Sequence, residues 1–387
     1  MLNKLIKYYN TTVFPWELLR IPSPSSSKKL KIGLCSYFPP FPHGVAAATY
    51  YLLKEFAKHP EIELYLIPLH NKFDKRLFSF MPIRFSKIQD TSLDFVIFLC
   101  LGIEYDTYAA LVHGKKIAWQ TMHEDPLTEK KPLTGPTEQD LLNQVKHADL
   151  VLAMTHFAYS CYKKQIPHVA YLPFGVNPNL FLPHQKKGQF TCLFVSRLNY
   201  SKGIISFLDS IPIILSQDPQ ILFKIVSVID THSLFADEII IRLKEVKKKY
   251  PSQVVVYDSW IPYSEIPTTY ATADVLVFPS NNEGFGIPLI EAMSCEVPCI
   301  VLDKKPMSEI IENNKTGYCL PASKHKEKYY DIAFPDPNEI AKKILFLKKH
   351  PEIIDKMRIH CRKRSIKDYN LLNVVNKLIE YCKITVQ

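Results

Sequence analysis

Glu283 and Glu291 flank the turn Gly284-Phe285-Gly286, with seven residues between the two carboxylates. Carboxylates accept hydrogen bonds from hydroxyls, and a glycine turn lets backbone N–H groups approach a phosphate. The apolar run Asp274-Val275-Leu276-Val277-Phe278 precedes the turn and reads as a buried parallel strand. Pro288 follows at a plausible first helical position. A strand end, a glycine turn and a helix N-terminus in that order suit a ligand that carries both phosphate and hydroxyls, such as a nucleotide sugar. Taken alone, the pair reads equally well as a favourable interaction with the helix dipole.

Other residues could join that chemistry. Arg197 and Lys202 lie five apart in Ser196-Arg197-Leu198-Asn199-Tyr200-Ser201-Lys202-Gly203, where a planar fork and a point charge could clamp a diphosphate. The alternative there is a solvated basic loop. Gly44 follows the first strand-like segment and reads as a phosphate-approach glycine or as an ordinary turn glycine. His123 follows Lys116-Ile117-Ala118-Trp119-Gln120 and precedes Glu124 and Asp125. It reads as a cleft histidine or as a surface one.

Alternating strands and helices must position these groups. Strands are predicted at 30–35, 62–67, 95–99, 116–120, 149–153 and 169–172, with a helix over 45–58. A second series begins at 190–196 and continues near 221–229, 253–257, 274–278 and 298–302. The pattern predicts an α/β chain of two Rossmann-like domains in tandem, each a parallel, doubly wound sheet. If they face one another, the cleft between them is the natural site. The expected division is an N-terminal extension or strap over 1–29, a first domain over 30–183 and a second over 190–365. A terminal helix over 366–387 would then cross back to the first domain.

At 387 residues, with 47% hydrophobic and 22% charged residues, the chain is globular and long enough for two domains. Nine scattered cysteines contain no CxxC pair and no zinc spacing, which points to a reduced, cytoplasmic setting. Cys295 and Cys299 are expected as core thiols in or near one helix. The net charge of +10 favours anionic partners. It permits, with the basic run Lys348, Lys349, Arg358, Arg362, Lys363 and Arg364, peripheral docking at the inner face of an anionic membrane. No apolar run is long enough to span a bilayer. Leu2 to Leu19 reads as an interfacial helix or a packed strap. The basic residues are dispersed with no interleaved aromatic ladder, so nucleic acid is not an expected partner.

The ordered set of motifs resembles the retaining glycosyltransferases of the GT-B fold, most closely family 4, also called group 1. It is carried by Ser196-Arg197-Leu198…Lys202-Gly203, Ala273-Asp274-Val275-Leu276-Val277-Phe278-Pro279-Ser280 and Glu283-Gly284-Phe285-Gly286-Ile287-Pro288-Leu289-Ile290-Glu291-Ala292-Met293. Pro173-Phe174-Gly175-Val176-Asn177…Phe181 and Thr316-Gly317-Tyr318 add to it. The resemblance implies that Glu291 binds ribose hydroxyls, while Glu283 and the backbone from Gly284 through Phe285 and Gly286 to Ile287 hold the donor sugar. It implies that the turn near Leu289 offers N–H groups to the phosphates, and that Arg197 and Lys202 neutralise the leaving diphosphate. His123 would contact the sugar near the reacting carbon, Gly44 would lie over the diphosphate, and the segment of Trp260 and Ile261 would meet the base.

The chain departs from the family pattern at His43-Gly44, where a second glycine is common, and at Ser227-Val228-Ile229-Asp230 and Ser259. Ser323 to Phe334 reads as a local insertion. The implied activity is transfer of a hexosyl group from a UDP-, GDP- or ADP-sugar to a glycan, lipid-linked or other hydroxyl acceptor. No Asp-x-Asp stands out at a strand end, so neither metal nor cofactor is expected. The alternatives are a non-catalytic nucleotide-sugar-binding protein of this fold, or another GT-B enzyme such as an epimerase.

Overall fold

The structure is a computed structural model that describes residues 29–38, 44–68, 84–86, 88–99, 108–122, 138–184, 188–227, 236–257, 261–262, 264–324 and 333–386. The expected strap and the segments holding His43, His123, Asp230, Ser259 and Trp260 lie outside the described residues, as does most of the expected insertion. The chain divides into two compact units, and each is described by itself. The first comprises the described residues of Met1–Met122, Gly135–Pro173 and Leu371–Gln387. The second is Phe174–Asn370.

The first unit holds one six-stranded sheet built from β1 (Leu30–Ser36), β2 (Ile62–Pro68), β3 (Phe95–Leu99), β4 (Lys115–Gln120), β5 (Leu150–Ala153) and β6 (Val169–Tyr171). Their order is β2-β1-β3-β4-β5-β6, and every pairing is parallel. All five residues of β3 are buried, as a strand covered on both faces requires. Trp119 of β4 is fully buried and donates its indole N–H to the Leu172 carbonyl at 2.9 Å. The helix Gly44–Phe56 lies one residue earlier than expected at its start, and the terminal helix Leu371–Val386 packs against it.

The second unit repeats the plan with β7 (Thr191–Val195), β8 (Leu222–Val226), β9 (Val254–Tyr257), β10 (Val275–Phe278), β11 (Cys299–Leu302) and β12 (Gly317–Leu320). The order is β12-β11-β10-β7-β8-β9, again wholly parallel. The two parallel sheets with their helices are the α/β architecture expected from the alternation of segments. The strand β12 went unread because Thr316-Gly317-Tyr318 was taken only as a motif. Cys299 belongs to β11 rather than to the helix that ends before Cys295, although both thiols are buried. A two-stranded antiparallel pair, Ala322–Lys324 with Ala333–Pro335, closes the base of the expected insertion.

One device sets the register of both sheets. An aspartate just before a strand accepts an N–H from the first or second residue of the neighbouring strand: Asp94 from Lys31 at 2.8 Å, Asp149 from Lys116 at 2.7 Å, and Asp274 from Thr191 at 2.8 Å. Each carboxylate satisfies a backbone donor near the start of an interior strand. Arg358, on the helix Pro351–Asp368, adds a 2.7 Å ion pair to Asp274.

That arginine corrects the reading of the C-terminal basic run as a surface. Arg362 donates to the carbonyls of Phe181 (2.8 Å), Ser294 (2.6 Å) and Pro178 (2.8 Å), and Arg364 pairs with Glu312. The planar guanidinium suits such convergent acceptors better than a lysine would. Three of the cations are thus ties inside the second unit.

Candidate functional site

The topology of the second sheet singles out one place. From β7 the chain winds outward to β8 and β9, then returns to lay β10 on the opposite side of β7. The winding reverses between β7 and β10, and ligands of open parallel sheets bind beyond the carboxyl ends of the strands at such a point. The two loops leaving there are Ser196–Gly203 and Pro279–Gly286, which hold most of the residues singled out by type and spacing.

The first loop folds on itself before its helix starts. Asn199 caps a single 3₁₀ turn, Tyr200–Lys202, by accepting the Ser201 N–H at 3.0 Å. Gly203 then takes the left-handed conformation (φ +68°) and begins the helix Ile204–Leu215. A Cβ at Gly203 would lie 2.3 Å from the Pro279 carbonyl oxygen, so only glycine lets the two loops lie this close. The contact is sealed by the Asn281 N–H, which donates to the Ser201 carbonyl at 2.8 Å.

This closeness brings charge together. Lys202 Nζ donates to the Asn282 carbonyl and to Glu283 Oε1, each at 2.7 Å. Both side chains are largely buried, at 14% and 15% exposure. An ammonium has three donors, and these two bonds are the ones the Lys202 ammonium makes among the described residues. Arg197 is exposed at the head of the same loop.

The second loop ends at Gly286 (φ +103°), which starts the helix Ile287–Ser294. Pro288 stands in the first turn, as expected, and has no N–H to offer. The Leu289 N–H is bonded to the Gly286 carbonyl at 2.9 Å, so the donors at this terminus sit earlier than Leu289. Among the described residues the N–H groups of Gly286 and Ile287 make no bond. Phe285 is 5% exposed with its ring edge-on to Tyr369 at 6.1 Å, so its side chain anchors the turn.

Glu291 lies one turn further into that helix and is buried, with 6% exposure. Burial pushes its carboxyl up to about 8, against a hydrogen bond from Tyr270 that favours the ionised form. Tyr270, on the helix Ile266–Ala271, is 1% exposed, and burial holds its hydroxyl well above the ordinary range. A carboxyl so placed is largely protonated at neutral pH until a ligand supplies further donors.

Residues 180–367 match the family described as glycosyl transferases, group 1. This part of the chain belongs to that family. Among curated proteins, a 41.2 kDa protein of the cps region of Klebsiella pneumoniae is 24% identical over 260 residues, covering 62% of this chain. The matched part is also 62% of the Klebsiella protein. A glycosyltransferase from Rickettsia africae superposes with a TM-score of 0.70 at 15% identity, covering 93% of this chain and 100% of its own. HepE from Anabaena, solved with UDP-glucose, gives 0.67 at 14% identity, covering 92% and 99%. These likenesses show the fold: each unit is a parallel α/β sheet of the kind found in those structures.

Within the group 1 segment the structure gathers Lys202, Glu283, Gly284, Gly286 and Ile287 at one switch point, with Arg197 and Glu291 on the same two elements. Ile261 is half-buried beyond β9. Gly44 belongs to the first unit, where it is exposed and a Cβ would meet nothing within 4 Å, so space does not demand glycine there. His123 lies outside the described residues.

Two residues escaped the sequence reading. Tyr270, which bonds Glu291, had no signal beyond an aromatic in a short helix. Lys304 is 8% exposed and donates to Asn281. It stands just past β11, where the reading of strand ends had stopped. Extending the search for cations to every strand end would have found it.

Proposed function

We propose that the chain is a retaining glycosyltransferase that moves a hexosyl group from a nucleoside-diphosphate sugar to a hydroxyl of a glycan or lipid-linked acceptor. The observation that carries this reading is the pairing of Lys202 with Glu283 at 2.7 Å beside two unbonded N–H groups at a helix start. A departing diphosphate needs cations and preorganised N–H dipoles, and a hexose needs carboxylate acceptors for its hydroxyls. Both kinds of group meet here within two loops, in a segment of the group 1 family.

In this reading Glu283 takes sugar hydroxyls and Glu291 takes the ribose diol. Lys202 turns its third N–H, joined by Arg197 and the N–H groups of Gly286 and Ile287, toward the diphosphate. The bond from the anomeric carbon to the phosphate oxygen breaks as the acceptor oxygen bonds to that carbon from the same face. The acceptor's proton passes to the leaving phosphate. These groups carry the developing charge without calling on a divalent ion.

The test is a panel of UDP-, GDP- and ADP-hexoses assayed for transfer and for slow donor hydrolysis. One donor should be consumed, and Lys202→Ala should lower its turnover by about 100-fold to 1,000-fold, as removal of one stabilising donor does elsewhere. Arg197→Ala should act in the same direction. Undiminished turnover by either variant refutes the assignment. Tight donor binding without hydrolysis or transfer would instead favour a non-catalytic binding protein.

A further inference from the structure

Lys304 is an ammonium buried to 8% exposure. Its Nζ donates to the Asn281 carbonyl at 2.8 Å and to Asn281 Oδ1 at 3.2 Å, both neutral amide oxygens. Its place follows from the register of the sheet. Phe278 of β10 pairs with Val301 of β11, so the segments leaving those strands run side by side at their carboxyl ends. The backbone of Lys304 is itself fixed: its N–H donates to the Leu302 carbonyl at 2.8 Å, and its carbonyl accepts the Ser308 N–H at 3.0 Å.

Asn281 is therefore gripped from two sides, by the Ser201 carbonyl from the β7 loop and by Lys304 from the β11 loop. The next two residues, Asn282 and Glu283, are held by Lys202. In the proposed site Lys202 and Glu283 both also serve the donor, so a brace on the loop that is independent of their mutual bond fixes its shape before the donor arrives. Lys304 touches neither of them.

We infer that Lys304 is a positioning residue that holds the loop 281–283 in the shape that sets Glu283 against the sugar of the donor. This rests on the proposed function of the site. Its effect falls on the sugar half of the donor, because Glu291 and the start of its helix are not among its partners.

The experiment compares wild type, Lys304→Met, Lys304→Arg and Asn281→Ala, each checked for a native melting transition. Binding of the free nucleoside diphosphate and of the nucleotide sugar is measured by calorimetry, alongside kcat and KM for the donor. Lys304→Met should weaken the nucleotide sugar and lower kcat/KM by about 10-fold to 100-fold, the scale of a small misplacement at a reacting centre. The free nucleoside diphosphate should weaken by less than about threefold. Lys304→Arg should recover most of the loss. Asn281→Ala, which keeps the lysine and one of its acceptors, should show the same split more weakly. It also decides the matter should Lys304→Met fail to fold. Equal weakening of both ligands, or of neither, would overturn the inference while leaving the site's assignment standing. A wild-type chain that binds no nucleoside diphosphate would take down both.

Discussion

Replacing Glu291 with glutamine should remove a pH dependence of stability that the wild type carries. The carboxyl is buried on the helix Ile287–Ser294 with Tyr270 as its partner, and its value rises from an ordinary 4.5 to about 8. The folded chain therefore keeps a proton that the unfolded chain releases above 4.5. Stability from this group is greatest below 4.5, falls as pH rises through the window to about 8, and levels off beyond it. The slope is at most about 1.4 kcal/mol per pH unit, so the whole window is worth about 3 to 5 kcal/mol. For a unit of this size, each kcal/mol moves the melting temperature by roughly 2 to 4 °C. Glutamine has nearly the same shape, keeps an acceptor for the Tyr270 hydroxyl and does not titrate.

The assay is thermal melting of both proteins between pH 5.5 and 8.5 at constant ionic strength. Contributions from other groups cancel in the difference. The wild type should lose roughly 6 to 12 °C relative to Glu291→Gln across that span. Parallel curves would refute the claim that burial holds the carboxyl protonated. The same proton bears on ligand binding, since a ribose diol donates best to the ionised form. Affinity for a nucleoside diphosphate should rise with pH up to about 8, and the rise should vanish in Glu291→Gln.

Two further predictions separate geometry from sequence pattern. Gly203→Ala places a Cβ 2.3 Å from the Pro279 oxygen in a left-handed residue, and should destabilise the second unit by at least about 1 to 3 kcal/mol. Gly44→Ala should stay within about 1 kcal/mol of wild type, since nothing lies within 4 Å; melting of both variants checks the contrast. Arg362→Ala leaves the carbonyls of Pro178, Phe181 and Ser294 without their shared donor, and should cost about 3 to 5 kcal/mol in denaturant unfolding. Arg362→Lys should recover little, because an ammonium cannot span that set of acceptors. Full recovery would contradict the role given to the planar fork.

The central strands were legible because parallel strands covered on both faces read as unbroken apolar runs, as β3, β10 and β11 do. The helix start at Pro288 was legible from proline's fixed geometry. Lys202 and Glu283 were legible as types at strand ends, but not as a pair, because 81 positions separate them along the chain. The donors near Leu289 were misplaced by a few residues, since the hydrogen bond of Leu289 back to Gly286 is set by the tight helix start. Arg358, Arg362 and Arg364 were read as surface charge because sequence does not reveal which carbonyls a long side chain reaches.

Residue type and periodicity by themselves determined the α/β class, the repeat of two sheets, and the loops that follow β7 and β10. These are local properties, fixed by burial period and by what proline and glycine permit. Tertiary structure alone decided that Gly203 lets those loops touch, that Lys202 meets Glu283, that burial holds Glu291 protonated against its hydrogen bond from Tyr270, and that Lys304 braces Asn281. Each of those depends on strand order. The reversal of winding between β7 and β10 is a global choice that makes neighbours of residues distant in the chain, and only then do charge, hydrogen bonding and desolvation act between them.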